Sequence, residues 1–172
     1  MCKELSVVTT ERLILRGITE EDSRDIVLWR ANPEVYQYFK SPKALTIQDH
    51  LDWLHNIYAA SDNRFDWMCL EQQTGRRVGV FGLVRKEGEA EVNYLLAPSA
   101  QHRGYGYEAV KRLILFANRT WNTKRFIAEI HSQNLASLKL IEKLGFVEEA
   151  RNGNFILYGY EVIDDSYQSG CK

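Results

Sequence analysis

The chain has 172 residues, of which 45% are hydrophobic and 26% are charged. That length suits one domain, and the composition is typical of a globular protein, which excludes disordered, collagen-like and membrane-spanning classes. Twenty-two basic and 23 acidic residues leave a formal net charge of −1. A chain this close to neutral lacks the charge that binds nucleic-acid backbones, so no nucleic-acid partner is expected. We expect a single domain over 1–172, with a core at about 10–162 and a loosely held tail at 164–172.

The cysteines are Cys2, Cys69 and Cys171, an odd number at wide spacing with no CxxC pair. This usage indicates reduced thiols, a cytoplasmic location and no metal site. The N-terminal stretch has no long apolar core and meets Glu4 and Glu11 early. Neither a signal peptide nor a membrane anchor is therefore expected.

Hydrophobic periodicity and capping patterns divide the chain into strands and helices. In chain order the predicted elements are a strand at 10–16, helices at 19–31, just after Asn32-Pro33 and at 46–60, strands at 65–71, 77–85 and 89–97, a helix from 104 to about 121, a strand at 125–131, a helix at 134–144, and strands at 146–149 and 155–162. The last two strands flank an Asn152-Gly153 turn. These elements predict an α/β (α+β) fold, in which a mixed, mainly antiparallel seven-stranded sheet is flanked by about four helices.

The segment LLAPSAQHRGYGY at residues 95–107 joins a strand to the long helix. Unpaired backbone N–H groups at such a helix start point at one spot, which is an arrangement that binds phosphate. Gly104 and Gly106 would let the backbone approach the anion, in a loop expected to be exposed. A Walker loop is excluded because no Gly-Lys-Ser/Thr follows. A GxGxxG dinucleotide site and a purely structural turn remain open, although the strand ends early for the former.

Three blocks of sequence, in order, resemble the GNAT N-acetyltransferases. QHRGYG at residues 101–106 resembles the family's Q/R-x-x-G-x-G/A signature, and NLASLKLIEKLGF at 134–146 resembles its N-x-x-S-x-x-x-x-E-K-L-G-F block. TERLILR at 10–16 is similar to the first strand of the ribosomal-protein-alanine N-terminal acetyltransferase (RimJ/RimL-like) branch, where a proline usually stands at Gly17. The resemblance implies the GNAT fold, whose mixed sheet is splayed between its fourth and fifth strands.

Acetyl-CoA is the cofactor that the resemblance implies. In this family the edge of the strand at 89–97 binds the pantetheine arm and the loop amides bind the pyrophosphate. Asn134 either bonds the amide arm or serves simply as an N-cap. The expected cofactor-binding residues are Leu95, Leu96, Ala97, Gln101, His102, Arg103, Gly104, Tyr105, Gly106, Tyr107, Asn134 and Ser137.

The implied reaction transfers an acetyl group from acetyl-CoA to a primary amine by direct attack in a ternary complex. An alkyl amine is protonated at neutral pH, so a base or a chain of waters must remove its proton. Glu91, which shares a strand face with Asn93, is the candidate base, with a solvated edge residue as the alternative. The oxyanion donor would be a backbone N–H near Leu95 or Leu96.

The leaving thiolate also needs a proton. Many GNAT enzymes supply it from a tyrosine seven residues after the motif asparagine, and that position is Ile141 in this chain. Without that tyrosine, Ser137 is expected to relay a hydrogen bond to the sulfur, and Tyr158 is a second candidate for the group that protonates the thiolate.

Aromatic and polar residues crowd the short helices between the first two strands, and the expected acceptor-binding residues among them are Trp29, Arg30, Tyr36, His50 and Trp53. The acceptor is a protein N-terminus or a small-molecule amine. The stretch at 28–35, with His50 and Trp53, also looks like the amino-sugar N-acetyltransferases of nonulosonic-acid synthesis, although these usually keep the tyrosine that Ile141 replaces. A non-catalytic acyl-CoA-binding sensor is a further alternative, and the protein is expected to be a monomer or homodimer.

Overall fold

A computed structural model describes residues 5–163, so Cys2, Cys171 and the predicted tail at 164–172 lie outside the described residues. The strands are β1 (Val8–Thr9), β2 (Leu13–Gly17), β3 (Arg64–Glu71), β4 (Arg77–Lys86), β5 (Glu89–Leu96), β6 (Arg125–His131), β7 (Val147–Asn152) and β8 (Phe155–Glu161). The α-helices are α1 (Ser23–Arg30), α2 (Pro33–Tyr36), α3 (Ile47–Asp52), α4 (Tyr105–Trp121) and α5 (Leu135–Lys143). Short 3₁₀ turns cover Glu20–Asp22 and Pro98–Ala100, and a π-helical turn covers Trp53–Tyr58.

The eight strands form one sheet in the order β1-β2-β3-β4-β5-β6-β8-β7. Neighbouring strands are antiparallel except β5 and β6, which are parallel and are connected by α4. This confirms the predicted mixed, mainly antiparallel α/β fold. The extra strand is β1, which pairs with Ile14 and Leu15. It was missed because two residues carry no alternation that a sequence pattern could reveal.

The strands β5 and β6 separate soon after they begin to pair. Their register covers Glu89 with Arg125 and ends at Glu91 with Ile127. In contrast, β5 stays paired with β4 as far as Leu96. Residues 92–96 of β5 therefore run past the end of their pairing with β6. This divergence is the splay that the family resemblance implied, and it opens a cleft in the middle of the sheet.

Side-chain caps start the helices where the sequence predicts them. Thr46 and Asp49 form a capping box at α3, and the Asn32 side chain accepts a hydrogen bond from the Glu34 N–H at the start of α2. The predicted helix at 46–60 changes from α to π geometry at Trp53. Single π turns inside helices occur frequently at functional sites.

The two faces of the sheet carry different helices. On one face, Leu96 of β5 lies against Gly106 of α4. On the other face, the side chains of Asn93 and Asp66 lie over Gly82, and α1 packs against β4. Because successive strand residues point to opposite faces, alternate residues of β5 beside the splay face the helices on one side of the sheet or those on the other.

Candidate active site

The splay contains a cleft of about 1480 Å³ that reaches from the start of α4 to the α1–α3 segment. The predicted site residues that line it are Arg30, His50, Trp53, Glu91, Leu95, Leu96, Gln101, His102, Gly104, Tyr105, Gly106, Tyr107, Asn134 and Ser137. Five predicted residues are not among those lining the cleft, namely Trp29, Tyr36, Ala97, Arg103 and Tyr158. The structure thus brings the glycine loop and most of the predicted acceptor residues into one cavity.

Two residues with left-handed backbone shape the loop before α4. His102 has φ +60° and Gly104, the N-cap residue of α4, has φ +79°. Such turns direct neighbouring N–H groups to one side, and the first helical turn adds further N–H groups and the positive end of the helix dipole. The loop therefore has the geometry and the polarity to bind a phosphate group.

Gly106 differs from the sequence expectation. It is buried in the first turn of α4, where an added Cβ would overlap Leu140 of α5 and lie 3.2 Å from Leu96. The expectation that both glycines lie in an exposed loop is therefore wrong for Gly106. Its missing side chain lets α4, α5 and β5 approach one another at the base of the loop.

Arg12, immediately before β2, contacts this loop through its guanidinium. It donates to the carbonyl oxygen of Arg103 at 3.0 Å and to the Glu108 carboxylate at 2.7 Å. The guanidinium also lies 4.8 Å from the centre of the Tyr105 ring, whose hydroxyl donates to Glu71. Arg12 belongs to the TERLILR block, but the sequence pattern gave no sign that it contacts the loop.

The cleft wall fits coenzyme A. Loop amides at 102–107 suit a pyrophosphate, and the β5 edge at 92–96 suits an extended amide arm that adds to the strand. Leu95 and Leu96 line the cleft there. Ala97 is buried, and its N–H donates to the Val78 carbonyl at 3.0 Å, so it belongs to the ladder with β4.

Asn134 starts α5 and lines the cleft. Its Oδ1 accepts a hydrogen bond from the Ser137 N–H at 3.2 Å, so the residue is the N-cap of the helix. The same amide group carries two N–H donors on Nδ2. Capping and contact with a bound amide arm are therefore compatible.

Tyr94 is a cleft residue that the sequence analysis missed. Its hydroxyl donates to the Ser137 carbonyl at 3.4 Å, and its ring stacks on Phe81 with 6.1 Å between centres. Burial raises the pKa of Tyr94 to about 12, so the hydroxyl keeps its proton at neutral pH. Glu91 and its alternate neighbours lie on one face of the strand, whereas Tyr94 lies on the opposite face, where no candidate base or acid was expected.

Ile141 and Tyr158 both belong to the buried core. Ile141 is fully buried, so the usual position of the family's tyrosine carries an apolar core side chain. Tyr158 is buried on β8 and its hydroxyl donates to Glu142 at 2.9 Å; burial and this carboxylate raise the pKa of Tyr158. Tyr158 is not among the residues that line the cleft, although Phe155 at the start of β8 is. This placement gives no support to Tyr158 as a proton donor in the cleft.

Two carboxylates from the two splayed strands line the cleft. Glu91 is the last residue of β5 in register with β6, and its carboxylate lies 2.7 Å from Lys86 Nζ. Glu129 lies two residues beyond the end of that register on β6, and it lies 2.7 Å from Lys40 Nζ. The sequence analysis identified Glu91 but not Glu129, since nothing in the strand at 125–131 marked it.

The acceptor end of the cleft is formed by the α1–α3 segment. Arg30, His50 and Trp53 line it, whereas Trp29 is a core residue. Adjacent helix residues point about 100° apart, so Arg30 and its neighbour Trp29 face different surroundings. Tyr36 also lies outside the cleft wall. The geometry of the cleft therefore gives no support to these two predicted acceptor contacts.

Within residues 5–163, the cysteine is Cys69, which is buried in β3. Burial, with a smaller effect from Glu108, raises the pKa of this thiol to about 12, so it is not a nucleophile at neutral pH. In the same part of the chain, no three or more His, Cys, Asp or Glu side chains are grouped to hold a metal ion. Nor does any helix there have the length and apolar character needed to cross a bilayer.

Comparison with known families places these features in context. Residues 12–147 match the model of the acetyltransferase (GNAT) domain. The chain belongs to the GNAT family. It is an acetyl-CoA-dependent N-acetyltransferase, and the family, fold and cofactor predicted from the motifs are confirmed.

Related proteins agree with this assignment. The uncharacterized N-acetyltransferase YoaA of Bacillus subtilis (strain 168) is 26% identical over 148 residues, which are 83% of this chain and 84% of that protein. The spermidine N-acetyltransferase of Vibrio cholerae, solved with CoA and spermine, has a TM-score of 0.77 and 20% identity, covering 88% of this chain and 96% of that one. RimL, a ribosomal L7/L12 α-N-protein acetyltransferase solved with coenzyme A, has a TM-score of 0.79 and 16% identity over 91% and 98%. At these identities the two structures show a shared fold.

Proposed function

We propose that the protein transfers the acetyl group of acetyl-CoA directly to a primary amine, with both substrates bound in the cleft between β5 and β6. The proposal rests on one observation. A single cleft contains both the glycine loop and Glu91, which lies where β5 and β6 separate. Bound acetyl-CoA supplies an activated acetyl thioester. Direct attack is favoured over an acetyl-cysteine route through Cys69, because Cys69 is buried and does not line the cleft.

Glu91 is the proposed acceptor of the amine proton, either directly or through a water. Its position at the end of the β5–β6 register places it where the strands part. The ion pair with Lys86 fixes the orientation of the Glu91 carboxylate. Glu129 on the facing strand is held in the same way by Lys40, at 2.7 Å.

The α5 side of β5 supplies the groups proposed to act on the thioester. Backbone N–H groups near Leu95 and Leu96 are the proposed donors to the oxyanion. The Tyr94 hydroxyl, held beside Ser137 at the start of α5, is the proposed proton donor to the leaving sulfur. Ser137 is left with the supporting role of a hydrogen bond to the same sulfur. In this chain Ile141 stands where many family members have the proton-donating tyrosine, and Tyr94 would take over that proton transfer.

The acceptor is a protein N-terminus or a small-molecule amine. The printed names of two structural neighbours support this class, since RimL acetylates a protein α-amino group and the Vibrio cholerae enzyme was solved with spermine. The amino-sugar alternative is supported by Arg30, His50 and Trp53, which all line the acceptor end.

The experiment is a thiol-release assay with acetyl-CoA over a panel of peptide N-termini, polyamines and amino sugars. The proposal predicts amine-dependent release of coenzyme A together with the acetylated amine. Acetyl-CoA binding without release on any amine would instead support the sensor. Binding of NAD(H) in place of acetyl-CoA would support a dinucleotide site.

A further inference from the structure

Arg30 is the C-terminal residue of α1 and lines the acceptor end of the cleft. Its guanidinium carbon lies 4.4 Å from the centre of the Phe39 ring. The Nε atom is buried and has no hydrogen-bond partner among residues 5–163. No carboxylate of that part of the chain forms an ion pair with Arg30.

The surroundings of Arg30 do not compensate its positive charge, and a second arginine lies nearby. Burial, and then the nearby Arg64, lower the pKa of Arg30. Arg64 lies 2.7 Å from Asp66 and stacks over Trp53, so the neighbouring carboxylate is already paired. The His50 ring is tilted against that of Trp53, with 5.5 Å between ring centres, and its buried Nε2 also lacks a partner among the described residues.

The other cations that line this region are matched by carboxylates. Lys40 is paired with Glu129, and Arg64 with Asp66, at 2.7 Å in each pair. Arg30 is therefore an uncompensated charge in a partly buried, aromatic-walled pocket. Burying an unpaired cation is unfavourable, whereas an arginine positioned over an aromatic ring can present its planar fork to a carboxylate or phosphate.

We propose that Arg30, with His50 beside it, binds an anionic group of the acceptor, so that the preferred acceptor is an amine that also carries a carboxylate or a phosphate. The inference rests on the proposed function and narrows its substrate class. It disfavours polyamines, whose additional cations would meet Arg30 and Arg64. Carboxylate and phosphate both match the guanidinium fork, and the acceptor pairs described below distinguish them.

The first test measures binding and needs no turnover. Inorganic phosphate and acetate are titrated separately into protein saturated with coenzyme A, which keeps anions out of the glycine loop, and binding is followed by tryptophan fluorescence because Trp53 lies beside Arg64. We expect Arg30→Met, which keeps the stem against Phe39, to weaken binding of the preferred anion by about 10- to 100-fold. Arg24→Met is the matched control, because Arg24 lies on the same helix and is exposed outside the cleft wall.

Equal anion affinity in wild type, Arg30→Met and Arg24→Met would overturn the proposal. So would a wild-type protein that binds neither anion at about 10 mM. Melting temperatures of the variants, measured with coenzyme A, verify that each is folded. Because this measurement does not require acetyl transfer, it separates failure of the anion site from failure of the transferase activity.

The second test compares acceptors in matched pairs, such as glucosamine 6-phosphate with glucosamine and an amino acid with its amide. The proposal predicts a higher kcat/KM for the anionic member of at least one pair, and the better pair identifies phosphate or carboxylate. Arg30→Met should remove that preference by lowering kcat/KM more for the anionic member than for the neutral one, whereas Arg24→Met should keep the preference. A preference that survives in Arg30→Met, or a preference for neutral members or spermine in wild type, would contradict it.

Discussion

The Arg12 guanidinium and the Glu108 carboxylate form an ion pair of 2.6 Å that ties the start of β2 to the first turn of α4. Thr10 donates a second hydrogen bond to the same carboxylate, and Arg12 also donates to the Arg103 carbonyl. The geometry of the loop amides at 102–107 therefore depends on a segment about 90 residues earlier in the sequence. This connection gives a structural role to the TERLILR block.

We predict that Arg12→Met weakens acetyl-CoA affinity by about tenfold, because the loop loses a charge-assisted hydrogen bond that fixes one of its carbonyls. The arginine side chain is 46% exposed, so the change should cost less than about 1 kcal/mol of unfolding free energy. Isothermal titration and urea unfolding measure the two quantities.

Arg16→Met is the control on the same strand. Arg16 pairs with Asp22, whose side chain is 0% exposed, and it does not contact the loop. This variant should lose stability, by about 3 kcal/mol, and keep its acetyl-CoA affinity. The opposite pattern, with affinity lost only in Arg16→Met, would refute the role assigned to Arg12.

Glu91→Gln should lower turnover by about 10²- to 10⁴-fold with little change in acetyl-CoA affinity, because it removes the proposed proton acceptor and preserves its shape. Glu129→Gln removes the other lysine-paired carboxylate of the splay and should cost less than about tenfold. Steady-state kinetics on a verified amine gives both values. Wild-type rates in Glu91→Gln would mean that ordered water alone deprotonates the amine.

Tyr94→Phe should lower kcat by about 10²-fold or more if its hydroxyl protonates the leaving sulfur. Ser137→Ala should cost about tenfold, the worth of one neutral hydrogen bond of roughly 0.5–1.5 kcal/mol. Tyr158→Phe deletes a hydroxyl outside the cleft and should leave kcat near the wild-type value. A larger loss in Tyr158→Phe than in Tyr94→Phe would return the proton-donor role to Tyr158.

Acid should destabilise the protein through Asp22. Burial favours the neutral carboxyl, but hydrogen bonds from Arg16, the Thr19 N–H and Arg77 outweigh it and hold the pKa of Asp22 below its usual value. A lowered folded-state pKa gives stabilisation that is complete above about pH 4 and is lost as the pH falls through the folded-state value.

Asp22→Asn should therefore lower the unfolding free energy at pH 7 by about 3–5 kcal/mol, and the difference from wild type should shrink at acidic pH. Urea unfolding at a series of pH values measures this. A difference that stays constant down to about pH 2 would show that the carboxylate charge is not the cause.

Short-range patterns predicted much of the fold from sequence. The capping box of Thr46 with Asp49 and the Asn32-Pro33 helix start are present as the pattern indicated. The hairpin of β7 and β8 also forms, although β7 extends to Asn152 and the left-handed turn residue is Gly153. These features depend on neighbours within a few residues, which is why the chain order alone reveals them.

Burial and access to the cleft depend on residues far apart in the sequence, so short-range patterns could not predict them. Gly106 is buried because Leu140, 34 positions later, lies against it. Tyr94 and Tyr158 are both strand tyrosines, and only the packing of the strands and helices shows that Tyr94 lines the cleft whereas Tyr158 bonds Glu142 in the core. The unpaired charge of Arg30 likewise emerges only when the partners of the surrounding cations are known.

Equilibrium binding of acetyl-CoA tests the central claim most directly, because it does not depend on knowing the amine. If the glycine loop and the β5 edge form the cofactor site, acetyl-CoA at a hundredfold excess over its Kd should raise the unfolding free energy by about 2.7 kcal/mol, and adenosine diphosphate should have a weaker effect. Unfolding monitored with and without each ligand measures this. No stabilisation at millimolar acetyl-CoA, or stabilisation by NAD(H) instead, would contradict the account.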